Sequence, residues 1–216
     1  MRPSALNMSP ELSAAELAAL RSLLGRAGLR GTHLEVGTAA GGTLREMMLC
    51  YAPPRPPFVV VDPFRYFPNQ GAVVLGNLEA AGIGAAEVEL RQSDSDAAFR
   101  AATAVGECFD FILIDANHGA RHVIRDLRWA GLLSPGGYLC LHDYGRFPGV
   151  TWAADRFLHG NANYRRTVLE DSLIVLQKIE EAPGRGVGTI DIVLGEALSL
   201  AHRLSRSVKK RTGFGG

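Results

Sequence analysis

Two aspartate–histidine groupings stand out in this chain of 216 residues: Asp115-x-x-His118 and the adjacent pair His142-Asp143. Each follows a short, strongly apolar run, Phe109 to Ile114 and Tyr138 to Leu141, of the kind that forms a buried strand. If those strands are neighbours, their carboxyl ends lie about 5 Å apart. A carboxylate from one end, with a carboxylate and an imidazole from the other, is then a donor set for a hard or borderline divalent ion. A third grouping lies earlier, in GTHLEVGTAAGGTLREMMLCY from Gly31 to Tyr51, which reads as a buried strand, a tight glycine turn and the start of a helix. Gly37 lets the chain reverse where a side chain would clash. Gly41 and Gly42 let the backbone approach a ligand, and the free N–H groups of the following helix make the spot polar and slightly positive. Asp62 closes the next apolar run, about 20 residues past that turn, where a carboxylate suits a ribose diol.

The elements that position these groups alternate. Ser9-Pro10-Glu11 reads as a helix start with Ser9 as cap, followed by a largely helical stripe of Leu12, Glu16, Leu17, Leu20, Leu23 and Leu24. The prolines Pro53, Pro54, Pro56 and Pro57 stop the helix after the glycine turn. Phe58 to Val61 is a second strand, and the aromatic-rich loop Pro63 to Gly71 could cover a ligand before a helix running to about Ala81. Val88 to Leu90 is a third strand, followed by Ser93-Asp94-Ser95 and a helix near Asp96 to Val105. His118 to Leu133 reads as one helix broken by Ser134-Pro135-Gly136-Gly137, Trp152 to Leu158 as another, and Tyr164 to Leu169 with Leu173 to Gln177 as a final hairpin. Strands and helices in alternation predict an α/β fold with a mostly parallel sheet and helices on both faces. Such a sheet binds small ligands outside the carboxyl ends of its strands, where Glu35 to Gly42, Asp62, Ser93 to Ser95, Asp115 to His118 and His142-Asp143 all fall.

Composition is ordinary for a soluble globular protein, with 47% apolar and 21% charged residues and a net charge of +1. That balance gives no reason to expect nucleic-acid binding. No apolar run approaches the roughly 20 residues of a membrane span, and the N-terminus lacks the apolar core of a signal peptide. Cys50, Cys108 and Cys140 read as reduced core thiols of a cytoplasmic protein.

The turn departs from the dinucleotide fingerprint G-x-G-x-x-G, because Ala39 occupies the middle glycine position. Acid-x-Gly-x-x-x-Gly, with Glu35, Gly37 and Gly41, resembles motif I of the class I S-adenosylmethionine (SAM) methyltransferases. HLEVGTAAGG, VVVDPF, LRQSDS, FDFILIDANH and LLSPGGYLCLHDY follow in the order of that family. The GG-Tyr-Leu-Cys-Leu-His-Asp-Tyr ending and the Asp-x-x-His resemble the branch of sugar and macrolide O-methyltransferases and their cephalosporin-biosynthesis relatives. The resemblance covers Gly31 to Lys178. It implies a Rossmann-like three-layer sandwich around a seven-stranded, mostly parallel sheet with a C-terminal antiparallel hairpin. It also implies that Glu35, Gly37, Thr38, Gly41 and Gly42 hold the methionine end of SAM, Asp62 the ribose, Asp94 and Ser95 the adenine side, and Asp115 the reacting end. His118 matches a general base, which suits an imidazole, and Asp115, His142 and Asp143 match the ligands of a magnesium ion. The sequence departs there, since His142 stands where the family has an acid. Imidazole favours zinc, iron or manganese over magnesium, and a second base or substrate contact with no ion is the alternative.

Three segments are expected: a helical segment at 1–30, a SAM-binding domain at 31–179, and a linker with an amphipathic basic helix at 180–216. The last carries Ile190, Val193, Leu194, Ala197, Leu198, Ala201 and Leu204 at helical spacing, then Arg203, Arg206, Lys209, Lys210 and Arg211. The basic end suits a solvated helix terminus, docking on a second subunit or an anionic membrane surface; docking is favoured, because the stripe is apolar and the basic residues gather beyond it. Asp126, His122 and Arg125 read as a solvated helix face, and Trp129 and Trp152 as packing residues. The whole reads as a SAM-dependent O-methyltransferase of a small hydroxylated acceptor, such as a sugar or a glycosylated secondary metabolite. The rival readings are a non-catalytic SAM-fold scaffold and an NAD-linked oxidoreductase.

Overall fold

The computed structural model of the chain describes residues 9–179 and 184–212, with side chains as far as Ser205. Five parallel strands, β1 (His33–Val36), β2 (Phe58–Asp62), β3 (Val88–Gln92), β4 (Phe109–Ile114) and β5 (Leu133–Leu141), are followed by a hairpin of β6 (Tyr164–Glu170) and β7 (Leu173–Lys178). The sheet order is β3-β2-β1-β4-β5-β7-β6, with β7 antiparallel to β5. Strand order reverses between β1 and β4, the switch point at which ligands bind in open α/β sheets.

Alternation along each strand explains the layers. Leu34, Val36, Val59, Val61, Ile112 and Ile114 face one apolar cluster, shared with α4 (Ser95–Val105), α5 (Ala120–Asp126) and α6 (Pro148–Gly160). Phe58, Val60, Phe111 and Leu113 face the other, shared with α1 (Ala14–Ala27), α2 (Gly42–Leu49) and α3 (Gln70–Ala80). The result is a three-layer α/β sandwich, as expected. His33 and Glu35 alternate onto the α1–α3 side, which takes Glu35 to the strand end as a fully buried acid.

Several boundaries differ from expectation. α1 begins at Ala14 rather than after Ser9, because Ser13 and Glu16 form a reciprocal capping box: Glu16 N–H donates to Ser13 Oγ (3.2 Å) and Ser13 N–H donates to Glu16 Oε2 (2.7 Å). The predicted helix from His118 to Leu133 is α5 followed by a 3₁₀ stretch, Leu127–Leu132. β5 starts at Leu133, so Ser134 to Gly137 lie within the strand, with a register shift against β4 between Phe109 and Phe111. α6 starts at Pro148, a residue whose fixed φ suits a first helical turn. Of the thiols, Cys140 is buried, Cys50 partly so, and Cys108 is exposed. Asp126 is not solvated but buried at 5% exposure, since α5 turns it under α4. α7 (Thr189–Thr212) closes the chain, while the side chains of Arg206, Lys209, Lys210 and Arg211 lie outside the described residues.

Candidate active site

The turn after β1 is built on close backbone approach. Gly37 has φ +84°, and a Cβ there would lie 2.3 Å from the carbonyl oxygen of Asp115, so only glycine lets β1 and β4 end side by side. Gly41, also at positive φ, caps α2. Gly42 serves a different neighbour: a Cβ there would lie 2.7 Å from the carbonyl oxygen of Ser9, so its open side receives the N-terminal segment. Asp62 joins the turn from β2, its Oδ2 accepting the Thr38 N–H (3.1 Å) and its Oδ1 the Phe64 N–H (2.6 Å).

A cleft opens over this turn, lined by Glu11, Glu35, Thr38, Tyr66, Phe67 and Asp115 among others. Glu35 Oε2 has no hydrogen-bond partner among the described residues although the side chain is buried. Burial pushes its carboxyl up to about 8; Thr38 opposes the shift, and Asp115 and Asp62 add to it. A buried acid with one carboxylate oxygen unpartnered, beside an open backbone turn, is a place for a ligand's polar group.

The two aspartate–histidine groupings meet because β4 and β5 are neighbours, with Ile114 opposite Leu141. His142 Nδ1 lies 3.1 Å from Asp115 Oδ1 and 3.7 Å from Asp143 Oδ2. His118 Nε2 lies 2.8 Å from Asp143 Oδ2, and its ring stacks on Phe147 with centroids 4.2 Å apart. Asp143 holds φ +65°, a left-handed conformation that Asp tolerates better than most residues, and its carbonyl accepts the N–H groups of Arg146 and Phe147. Ligand atoms of Asp115, His142 and Asp143 all fall within 4.8 Å of one another. Burial opposes a charged imidazole at His142, but the hydrogen bond to Asp115 and the charges of Asp115, Asp143 and Glu16 outweigh it and push the group up to about 9.

Asp94 and Ser95 follow β3, two strands from β1 and Glu35, at the start of α4. Asp94 accepts the Ala97 N–H as N-cap of α4, and Ser95 Oγ accepts the indole N–H of Trp129. Both are therefore partly spent inside the protein. Two residues that sequence reasoning passed over belong to the site. Glu11 lines the cleft, and burial together with Asp115 raises its carboxyl, with His142 pulling the other way. Glu16, wholly buried, accepts the N–H (2.8 Å) and hydroxyl (2.6 Å) of Ser172 and faces His142 Nε2 at 3.3 Å. Its signal was legible: the lone acid within an apolar stripe, three residues after a serine.

A switch-point glycine turn, a second-strand acid and a cluster of acids and histidines at the next strand ends define a class I SAM-dependent methyltransferase. The chain belongs to the methyltransferase-domain family, whose model matches residues 34–144, more than half its length. No curated protein matches it in a sequence search. Among solved structures, it is similar to the O-methyltransferase from Bacillus cereus in complex with SAH, at 18% identity and TM-score 0.61, over 79% of this chain and 83% of that one. It is similar also to the O-methyltransferase TomG from Streptomyces achromogenes in complex with SAM, at 18% identity and TM-score 0.59, over 78% and 82%. A third is CalS11, a TDP-rhamnose 3'-O-methyltransferase of calicheamicin biosynthesis, at 17% identity and TM-score 0.59, over 74% and 76%. Membership of a methyltransferase family sets aside the oxidoreductase reading.

Proposed function

We propose that the protein methylates a hydroxyl of a small molecule, a sugar or glycosylated secondary metabolite, with residues 31–179 as the catalytic domain. The observation that carries this reading is the His118–Asp143 contact of 2.8 Å at the strand ends beside Asp115. In this reading Asp143 accepts the Nε2 proton and sets the ring's orientation, and the other ring nitrogen takes the acceptor's hydroxyl proton. Glu35, Gly37, Thr38, Gly41 and Gly42 hold the methionine end of SAM, Asp62 the ribose, and Asp94 and Ser95 the adenine side. The unpartnered Oε2 of Glu35 and the glycine-lined turn fit that assignment. When bound, SAM supplies the sulfonium methyl group that the acceptor oxygen takes up. Asp115, His142 and Asp143 orient the acceptor. That the neighbouring solved structures are O-methyltransferases, one acting on TDP-rhamnose, supports oxygen as the methylated atom and a sugar as the acceptor class.

The same three residues fit a divalent ion, and a donor set of two carboxylates and an imidazole favours zinc or manganese over magnesium. Such an ion would polarise the acceptor oxygen. Dialysis against a chelator, followed by return of each metal, tests this: activity unchanged throughout rejects the ion. The enzyme is placed in the cytoplasm in this reading, without nucleic acid as substrate.

Calorimetric titration with SAM and with NAD, then methyl transfer from labelled SAM to a panel of sugars and glycosides, tests the function. His118→Ala should keep SAM affinity and lose turnover. Full turnover in that variant removes His118 from the mechanism, and NAD binding without SAM binding rejects the reading altogether.

A further inference from the structure

Helix α7 carries an apolar face that no described part of the chain covers. Its opposite face is spent on the body. Gly195 packs so closely on α5 that a Cβ would lie 2.8 Å from Ile124 Cγ2, and Ser199 Oγ accepts the Arg121 N–H. Glu196 pairs with Arg125, and Asp191 with Arg156 and Arg185. On the free side Ile190, Val193, Leu194, Leu198, Leu200 and Leu204 are 67%, 60%, 41%, 42%, 51% and 59% exposed. Ile190, Leu194, Ala197, Ala201 and Leu204 succeed one another at spacings of 4, 3, 4 and 3, the seam along which two helices pair.

We propose that this face is buried by α7 of a second copy of the chain, the two helices crossing antiparallel about a two-fold axis. Shape favours it. The small residues, Ala197 and Ala201, lie in the middle of the seam and the larger Leu194 and Leu204 outside them. Run antiparallel, Ala197 of one copy meets Ala201 of the other and Leu194 meets Leu204, so the seam complements itself as a two-fold contact must. The alanines let the backbones approach where the helices cross.

Charge selects the direction. From Thr189 to His202 the helix holds Asp191 and Glu196 and no lysine or arginine, whereas Arg203, Arg206, Lys209, Lys210 and Arg211 follow with no acid among them. A parallel pair stacks these basic ends on each other. An antiparallel pair carries them to opposite ends and opposes the helix dipoles. The same distribution disfavours a lipid surface, because no lysine or arginine lies along the apolar stretch from Thr189 to His202 and the cations gather beyond it. The six exposed large side chains offer on the order of 1,000 Å² over two copies, the size at which a specific, dissociable dimer begins.

Sedimentation equilibrium on the full-length protein tests this. The expected mass at tens of micromolar is twice the 23.2 kDa of one chain. Leu194→Glu and Leu204→Glu should each return it to one chain mass with an unchanged thermal melt, both sites being exposed in the single chain. With Cys108→Ser removing the exposed thiol, a mixture of Leu194→Cys and Leu204→Cys proteins should form mixed disulfide dimers in excess over Leu194→Cys self-dimers. A wild-type protein that stays at one chain mass at about 100 µM overturns the proposal, as does preferential Leu194→Cys self-coupling. A monomer that pellets with phosphatidylserine vesicles and not with phosphatidylcholine vesicles overturns it in favour of a membrane surface.

Discussion

Glu16 Oε2 lies 3.3 Å from Nε2 of His142, on the imidazole edge away from Asp115. Helix α1 thus reaches into the strand ends that carry the candidate chemistry, and holds Ser172 with the same carboxylate. Removing one partner of a buried charge pair strands the other, which typically costs about 3–5 kcal/mol. Glu16→Ala is expected to lose stability of that order in urea unfolding, while Glu16→Gln, which keeps the shape and an acceptor for Ser172, loses roughly half as much. Equal, small losses for both would show that the contact with His142 contributes little.

Asp126 gives the fold a pH dependence. Burial pushes its carboxyl up to about 7, with Ser95 opposing the shift, Asp96 adding to it and Arg128 lowering it. The folded value exceeds the unfolded one near 3.9. Its contribution is therefore fully present below about pH 4 and is lost as pH rises through about 7. Asp126→Asn should flatten stability across that window and raise it at pH 8 by roughly 2–4 kcal/mol. Urea midpoints at pH 5 and pH 8 measure both.

Gly149 supports the candidate base from the first turn of α6. A Cβ there would lie 2.4 Å from the carbonyl oxygen of His118 and 2.6 Å from the Ala120 nitrogen. Gly149→Ala is expected to push residues 118–120 away and take His118 off Asp143. Displacement by about 1 Å can cost turnover about 100-fold, while calorimetric SAM affinity stays near wild type.

Gly37→Ala acts on the other side of the site. Positive φ and the 2.3 Å approach to Asp115 coincide there, so the ends of β1 and β4 must part. Stability should fall by about 2–4 kcal/mol, with SAM binding lost in calorimetry even where the variant remains folded.

Much of this was legible in the chain because buried parallel strands announce themselves. Phe58 to Val61, Phe109 to Ile114 and Tyr138 to Leu141 are apolar runs ending in an acid or histidine, and a parallel sheet sets such endings along one edge. Ser9 reads as the helix cap because Ser9-Pro10-Glu11 offers the same local signal as Ser13 to Glu16, and only the reciprocal bonds between Ser13 and Glu16 choose between them. Glu16 escaped notice because Ser172 is 156 residues away and His142 belongs to another layer. Asp126 reads as solvent-facing on an ideal helix; α5 is too short and tightens into a 3₁₀ turn, which buries it.

The place of β7 carries a consequence for synthesis. β7 is the last of the described strands to be made, yet it sits between β5 and β6. A nascent chain emerging as far as Tyr144 already holds the span matched by the family, but β5 then presents an unpaired edge, a template for wrong partners. Ser172, the anchor for Glu16, arrives just ahead of β7. Pairing of distant segments is slow, so folding on the ribosome stays open to aggregation until the β6–β7 hairpin turns back into the sheet and anchors α1 through Ser172 and Glu16.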